Sequence, residues 1–375
     1  MENVPYWRVS GFYFFFFASL GALVPYFGLY LQSLGFDAAA IGELTAVILI
    51  TRVIAPNVWG WLADHNGRHM NIVRVTSLFT VICFAGIFVA DNYLWLLIVM
   101  ASFSFFWNGS LAPFEANTLA HLGEHSHRYS HLRLWGSIGF IVAVLIGGEI
   151  NVSFFPTLVI SLLIFTWIST LLVPQQATKQ SSISSHSFYK VLKHPSVIAL
   201  FLVCFIMQAS HGPYYTFYTI YLKDYGYSSE FIGQLWAFSI IPEVMIFLIM
   251  HRLLTRYPLK YLLILSFALA SLRWILIGYY VEYLSIVLFA QILHAASFAM
   301  YHSVAMHFIR KIFIDEYQGR AQALYSSISF GAGGALGSLI SGYTWEQLGA
   351  ELTYLWAAII CIIAIGISYL WIELK

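Results

Sequence analysis

Leu34-Gly35-Phe36-x4-Ile41-Gly42-x-Leu44-x-Ala46 recurs later in the chain as Tyr225-Gly226-Tyr227-x4-Ile232-Gly233-x-Leu235-x-Ala237. Just upstream, Tyr30-Leu31 recurs as Tyr221-Leu222 at the same offset of about 191 residues. Each copy joins the end of one apolar run, a glycine-containing turn and the start of the next run. Agreement at one offset across all three is the mark of an internal parallel repeat, with a unit about half the chain long.

The composition says what kind of chain is repeated. Of 375 residues, 60% are hydrophobic and 9% charged, against roughly 45–50% and roughly 25% in soluble domains. So few charges cannot coat a water-exposed surface. The apolar residues fall in runs of about 18–25, the length a helix needs to cross roughly 30 Å of hydrocarbon. A net charge of +1 leaves no footprint for a nucleic acid. Disorder and a disulfide scaffold are likewise excluded: Cys83, Cys204 and Cys361 each stand alone in an apolar run. Arg8 precedes a long run with no short cleavable segment, so the start reads as a first transmembrane helix rather than a signal peptide.

Working outward from the repeat, the hydropathy predicts an all-α membrane protein with twelve spans. They lie at about 8–34, 38–63, 72–90, 94–120, 130–150, 153–173, 196–222, 229–254, 259–280, 283–308, 319–342 and 351–372. Residues 1–173 form an N-terminal six-helix half and 196–375 a pseudo-symmetric C-terminal half. Between them, 174–195 carries Pro174, Lys179, a Ser-rich patch at 181–187 and Pro195, and reads as a cytoplasmic linker. Outside the spans every Lys and Arg except Lys223 falls on the side of the termini. Both termini are therefore expected in the cytoplasm.

Gly60-x3-Asp64-x2-Gly67-Arg68-His69, between spans 2 and 3, resembles the cytoplasmic gating loop of the major facilitator superfamily. His69 stands where that signature ends in Lys or Arg, and the equivalent loop of the second half, His251 to Lys260, lacks the pattern. More narrowly, Arg133-Leu-Trp-Gly-Ser-Ile-Gly139, Gln291-Ile-Leu-His294, and His211 to Glu243 with its Tyr214-Tyr215 resemble the phenylpropionate permease family. That family is a proton-linked branch related to lactose permease and the nucleoside symporters. The resemblance implies a monomeric proton symporter of a bacterial inner membrane, with the major facilitator fold and no cofactor. Its partners would be a small solute, protons and the lipid bilayer.

Ionisable side chains at membrane depth cost at least about 2.5–3.5 kcal/mol each, so each needs a partner or a task. They are Arg52, Glu115, Arg133, Glu243 and Arg273, with His211, His294, His302 and His307. Glu115 on span 4 and Arg133 on span 5 fall at similar depth and are expected to pair. By the lactose permease resemblance the pair belongs to the substrate site, with Trp135 and Trp107 as candidate stacking surfaces or interfacial anchors. Arg52 and Glu243 occupy equivalent places in the two repeats. His211, Tyr215 and Tyr218 recur at i, i+4 and i+7 on one face of span 7, where Gly212-Pro213 predicts a break in the helix. The same resemblance gives Arg273 and His294 proton-handling roles. Without a carboxylate near His294 on span 10, the proton-carrying carboxylate is expected to be Glu115 or Glu243, with His302 as a further titratable group. Glycines of spans 5 and 11 read as close-packing positions.

Three intramembrane arginines against two carboxylates favour a monoanionic solute, and 18% aromatic residues favour a planar one. The expected substrate is a small aromatic carboxylate; a neutral sugar or nucleoside is the alternative. The rival class is a membrane metalloenzyme, suggested by the cytoplasmic pairs His65/His69, His121/His125 and His127/His131. No His-x2-His-His box accompanies them, so no metal site is expected. Gly331-Ala-Gly-Gly334 lacks the Gly-Lys-Ser/Thr of a phosphate loop. An ion or solute gradient, not a nucleotide, must supply the driving force.

Overall fold

The computed structural model describes residues 4–176, 186–313 and 315–372. Every regular element among them is helical. In chain order the long helices are α1 (Tyr6–Ser33), α2 (Ala38–Asn66), α3 (His69–Phe88), α4 (Tyr93–Leu122), α5 (Tyr129–Glu149) and α6 (Val152–Leu172). Then come α7 (Pro195–Asp224), α8 (Ser229–Arg256), α9 (Leu259–Tyr280) and α10 (Leu284–Ile312). The last helical stretch, Tyr317–Trp371, is 55 residues long and is broken at Gly349, whose φ is +84°. That left-handed conformation suits glycine and ends the ladder there. The break makes α11 (317–348) and α12 (350–371), and twelve long helices among the described residues.

The helices are apolar on nearly every side, as a bilayer requires of a segment with no water for its backbone groups. Outward-facing side chains such as Leu94, Leu248 and Leu370 are more than 60% exposed, which is a lipid-facing surface. α1 and α7 are the most enclosed, each with 72% of its apolar window buried. Pro25 sits inside α1, Pro56 in α2, Pro113 in α4 and Pro242 in α8. α7 is interrupted at His211, between Pro195–Ser210 and Gly212–Asp224, because Pro213 has no N–H to continue the first ladder. α10 and α11 each contain a wide π turn, Ala296–Met300 and Ser327–Gly333.

The chain forms two compact units. The first comprises Met1–Phe36, Val47–Gln180 and Ser229–Ala237; the second comprises Asp37–Ala46, Ser181–Ser228 and Phe238–Lys375. Residues 37–46 and 229–237, the later portions of the two repeated motifs, thus belong to units otherwise built from the other half of the sequence. In the second unit, an added Cβ at Gly42 would stand 2.7 Å from the Gly342 Cα. Ala38 N–H donates to Glu346 there (3.0 Å), and the Tyr343 hydroxyl donates to Glu43. In the first unit, a Cβ at Gly233 would stand 2.6 Å from the Val144 carbonyl oxygen. Tyr26 closes that contact by donating to the same carbonyl at 2.5 Å.

Residues 177–185 of the linker, including Lys179, lie outside the described residues. Its first residues are anchored in the first unit. Asn117 on α4 donates to the Pro174 carbonyl (3.2 Å) and accepts from Gln176 N–H (2.8 Å), while the Gln175 side chain accepts from Met70 N–H (2.8 Å). A short helix, His186–Leu192, precedes α7.

Candidate functional site

In the first unit the polar centre joins α1, α4 and α5. Glu115 on α4 accepts the Tyr129 hydroxyl at 2.8 Å, and Arg133 Nε stands 3.9 Å from the same carboxylate oxygen. Tyr129 lies four residues before Arg133 on α5, so one helix face presents both partners. The guanidinium lies over the Phe17 ring of α1, 3.7 Å from its centroid, and 5.7 Å from that of Tyr13. Stacking on an aromatic face holds a cation without consuming its N–H donors. Neither Nη1 nor Nη2 donates to another described residue, and the side chain is 34% exposed. Glu115, at 35%, is equally accessible. The result is a guanidinium fixed in plane whose outer fork is unengaged.

The second unit holds a closed network. Arg273 on α9 is wholly buried. Its Nε donates to the Ala290 carbonyl (3.1 Å), Nη1 to Ser297 (3.3 Å) and Nη2 to the Gln291 side-chain oxygen (3.4 Å). Tyr214 and Trp274 flank it at 4.1 and 4.6 Å. Gln291 is the hub: it accepts from Tyr214 (3.1 Å) and donates to Tyr218 in a short hydrogen bond. His294 Nε2 faces Glu243 of α8 at 3.6 Å. His211, at the break in α7, donates from Nδ1 to the Met207 carbonyl (2.8 Å), which leaves its buried Nε2 as an acceptor with no partner. His294 Nδ1 is equally buried and unpartnered.

Several residues singled out in the sequence sit elsewhere. Trp135 donates to the Tyr6 hydroxyl (3.1 Å) and packs edge-on against the 71%-exposed Trp7, an aromatic cluster at the start of α1. Trp107 is core, stacked between Phe16 and Phe103. Tyr218 and His211 are fully enclosed and Tyr215 half-buried against His211, so the first two offer no face to a solute in this conformation. Arg52 is half-buried beside Thr51, which bonds Ser104 and Asn108; it is not among the partners of Glu115 or Arg133. His302 bonds the Tyr325 hydroxyl at 2.9 Å. In the loop after α2, Gly67 takes φ +60°. The shorter His69 still reaches Asp64, Nε2 to Oδ1 at 3.0 Å. Of the other histidines read as i, i+4 pairs, His65 stacks on Trp61 and His121 donates to the Pro174 carbonyl, while the His127 side chain lies outside what is described. Sequence reading missed Phe17 and Tyr129, and took Gln291 only as part of a motif. The i, i+4 spacing to Arg133 was a usable signal for Tyr129; none existed for Phe17.

Gln291→Leu should strip Tyr214, Tyr218 and Arg273 of a shared partner. At about 1–3 kcal/mol per buried group left unsatisfied, the loss exceeds what one hydrogen bond contributes. A clear drop in thermal unfolding temperature in detergent is expected, and an unchanged one would show that the hub is dispensable.

Twelve helices built on a parallel repeat, with ionisable groups held at membrane depth, define a secondary transporter of the major facilitator fold, not an enzyme. The chain belongs to the MFS_1 like family, whose profile matches residues 6–356. It is 26% identical over 361 residues, covering 94% of each chain, to a protein of Escherichia coli (strain K12) named as a probable 3-phenylpropionic acid transporter. A maltose permease of Geobacillus stearothermophilus is 23% identical over 94% of this chain and 91% of its own. The crystal structure of the nucleoside transporter NupG superposes with a TM-score of 0.86 at 19% identity, covering both chains fully.

Proposed function

We propose that this transporter is a proton symporter of small aromatic monocarboxylates, resident in a bacterial inner membrane as a monomer with both termini cytoplasmic. The halves 1–173 and 196–375 are the bodies that alternate access. The observation that carries the reading is the Arg133 guanidinium, stacked on Phe17 beside Tyr13 and Tyr129 with its outer fork unengaged. A planar fork with two parallel N–H donors matches a carboxylate, and the surrounding rings match an aryl group. The name of the Escherichia coli relative points the same way. Protons are handled within the set Glu115, Glu243, Arg273, His294 and His302. Asp64, Arg68 and the glycines Gly60 and Gly67 serve the gating loop.

One observation favours a second reading, a neutral sugar or nucleoside. The second Glu115 oxygen accepts no donor among the described residues, so it can take a solute hydroxyl while Arg133 donates to another. A thermal-shift and binding screen of purified protein with aryl carboxylates, glycosides and nucleosides separates the two. Saturable stabilisation by 3-phenylpropionate is expected. Saturable binding of a neutral glycoside that aryl carboxylates do not compete with would overturn the acid reading.

A further inference from the structure

How the proton is loaded follows from the charge at the Arg133 site, granted the aryl carboxylate reading above. The titratable or charged groups facing Glu115 within its unit are Tyr129 and Arg133 on α5 and Tyr13 on α1. No histidine and no second carboxylate touches it among the described residues. At 3.9 Å the Arg133 contact is an ion pair but too long for a hydrogen bond, whereas Tyr129 is bonded at 2.8 Å. Glu115 therefore holds the guanidinium loosely, and Phe17 keeps it in plane from the other side.

Empty, the Glu115–Arg133 pair is neutral. A monocarboxylate seated on the outer fork would make the cluster net negative at membrane depth, which is strongly disfavoured. One proton on Glu115 restores neutrality. The carboxylate becomes a carboxylic acid, no other bond changes, and Tyr129 continues to donate to Oε1. The buried network of the second unit offers no such exchange. Arg273 is wholly enclosed with all three of its guanidinium nitrogens donating within the protein, so a solute cannot displace anything from it in this conformation.

We infer that Glu115 is the coupling carboxylate: it and the solute anion compete for Arg133, and one proton is taken up on Glu115 for each monocarboxylate bound. Binding of the two is then linked reciprocally, and transport is electroneutral.

The test is calorimetric titration of the purified full-length protein with 3-phenylpropionate, in buffers of different ionisation enthalpy. About one proton taken up per ligand is expected, with affinity falling about tenfold per pH unit on the alkaline side. Glu115→Gln should take up no proton and bind with a pH-independent affinity. Tyr129→Phe should keep the proton uptake, because the phenol only donates to the carboxylate that receives the proton. Wild-type binding without proton uptake, or proton uptake persisting in Glu115→Gln, would overturn the inference. Should Glu115→Gln fail to fold, loss of proton uptake in Tyr129→Phe would do the same. Failure of every aryl carboxylate to bind overturns the substrate reading and this inference with it, an outcome distinct from binding without a proton.

Discussion

Arg133→Leu should lower saturable aryl carboxylate uptake into proteoliposomes by about 30- to 150-fold, the equivalent of about 2–3 kcal/mol. The loss has two parts. The solute carboxylate loses a bidentate, charge-assisted contact, and Glu115 is left at membrane depth with only Tyr129 as a partner. Arg133→Lys should recover little, because an ammonium neither lies flat on Phe17 nor presents a fork. Both members of the pair are about one-third exposed (34% and 35%). Folding stability should therefore suffer less than it does when a fully buried pair is broken. Uptake by Arg133→Leu within threefold of wild type would remove this residue from the site.

Gly337→Ala is the corresponding prediction for the scaffold. A Cβ at Gly337 would stand 2.3 Å from the Ala209 carbonyl oxygen and 2.7 Å from the Ala209 Cα. These are backbone atoms, so no rotamer change relieves the clash. From the other side, a Cβ on Gly212 would lie 2.2 Å from the Gly337 carbonyl carbon. α7 and α11 thus meet backbone to backbone at the break that holds His211. One added methyl must push the helices apart, at about 3 kcal/mol. The expected readout is a marked fall in thermal unfolding temperature. Gly366→Ala in α12 is the control: nothing lies within 4 Å of its Cβ, so replacing a helical glycine should leave stability unchanged or raise it. Equal unfolding temperatures for the two variants would refute the close-packing account.

The break in α7 was readable in advance because its cause is local: Pro213 has no N–H, whatever surrounds it. The break at Gly349 was legible in the same way, as an interruption between two apolar runs. Trp135 shows where that kind of reading stops. From its position beside Arg133 it qualified equally as a stacking surface and as an interfacial anchor. That its side chain turns toward Tyr6 and Trp7 was visible only in the structure. Tyr218 is similar. The spacing puts it on one face with His211 and Tyr215, and the structure packs it against Gln291.

By itself the sequence determined the class of protein, its helical spans and its parallel repeat. Each of these is a property of contiguous residues: twenty apolar side chains in a row require a membrane, and an offset near 191 residues needs no third dimension to be seen. Only the tertiary structure decided which polar groups act together. It put Phe17 of α1 under Arg133 of α5, and Gln291 of α10 between Arg273 of α9 and two tyrosines of α7. It also left one arginine with an unengaged fork and enclosed the other completely. A charge at membrane depth announces in the sequence that it needs a partner, but the partner is set by which helix faces come together.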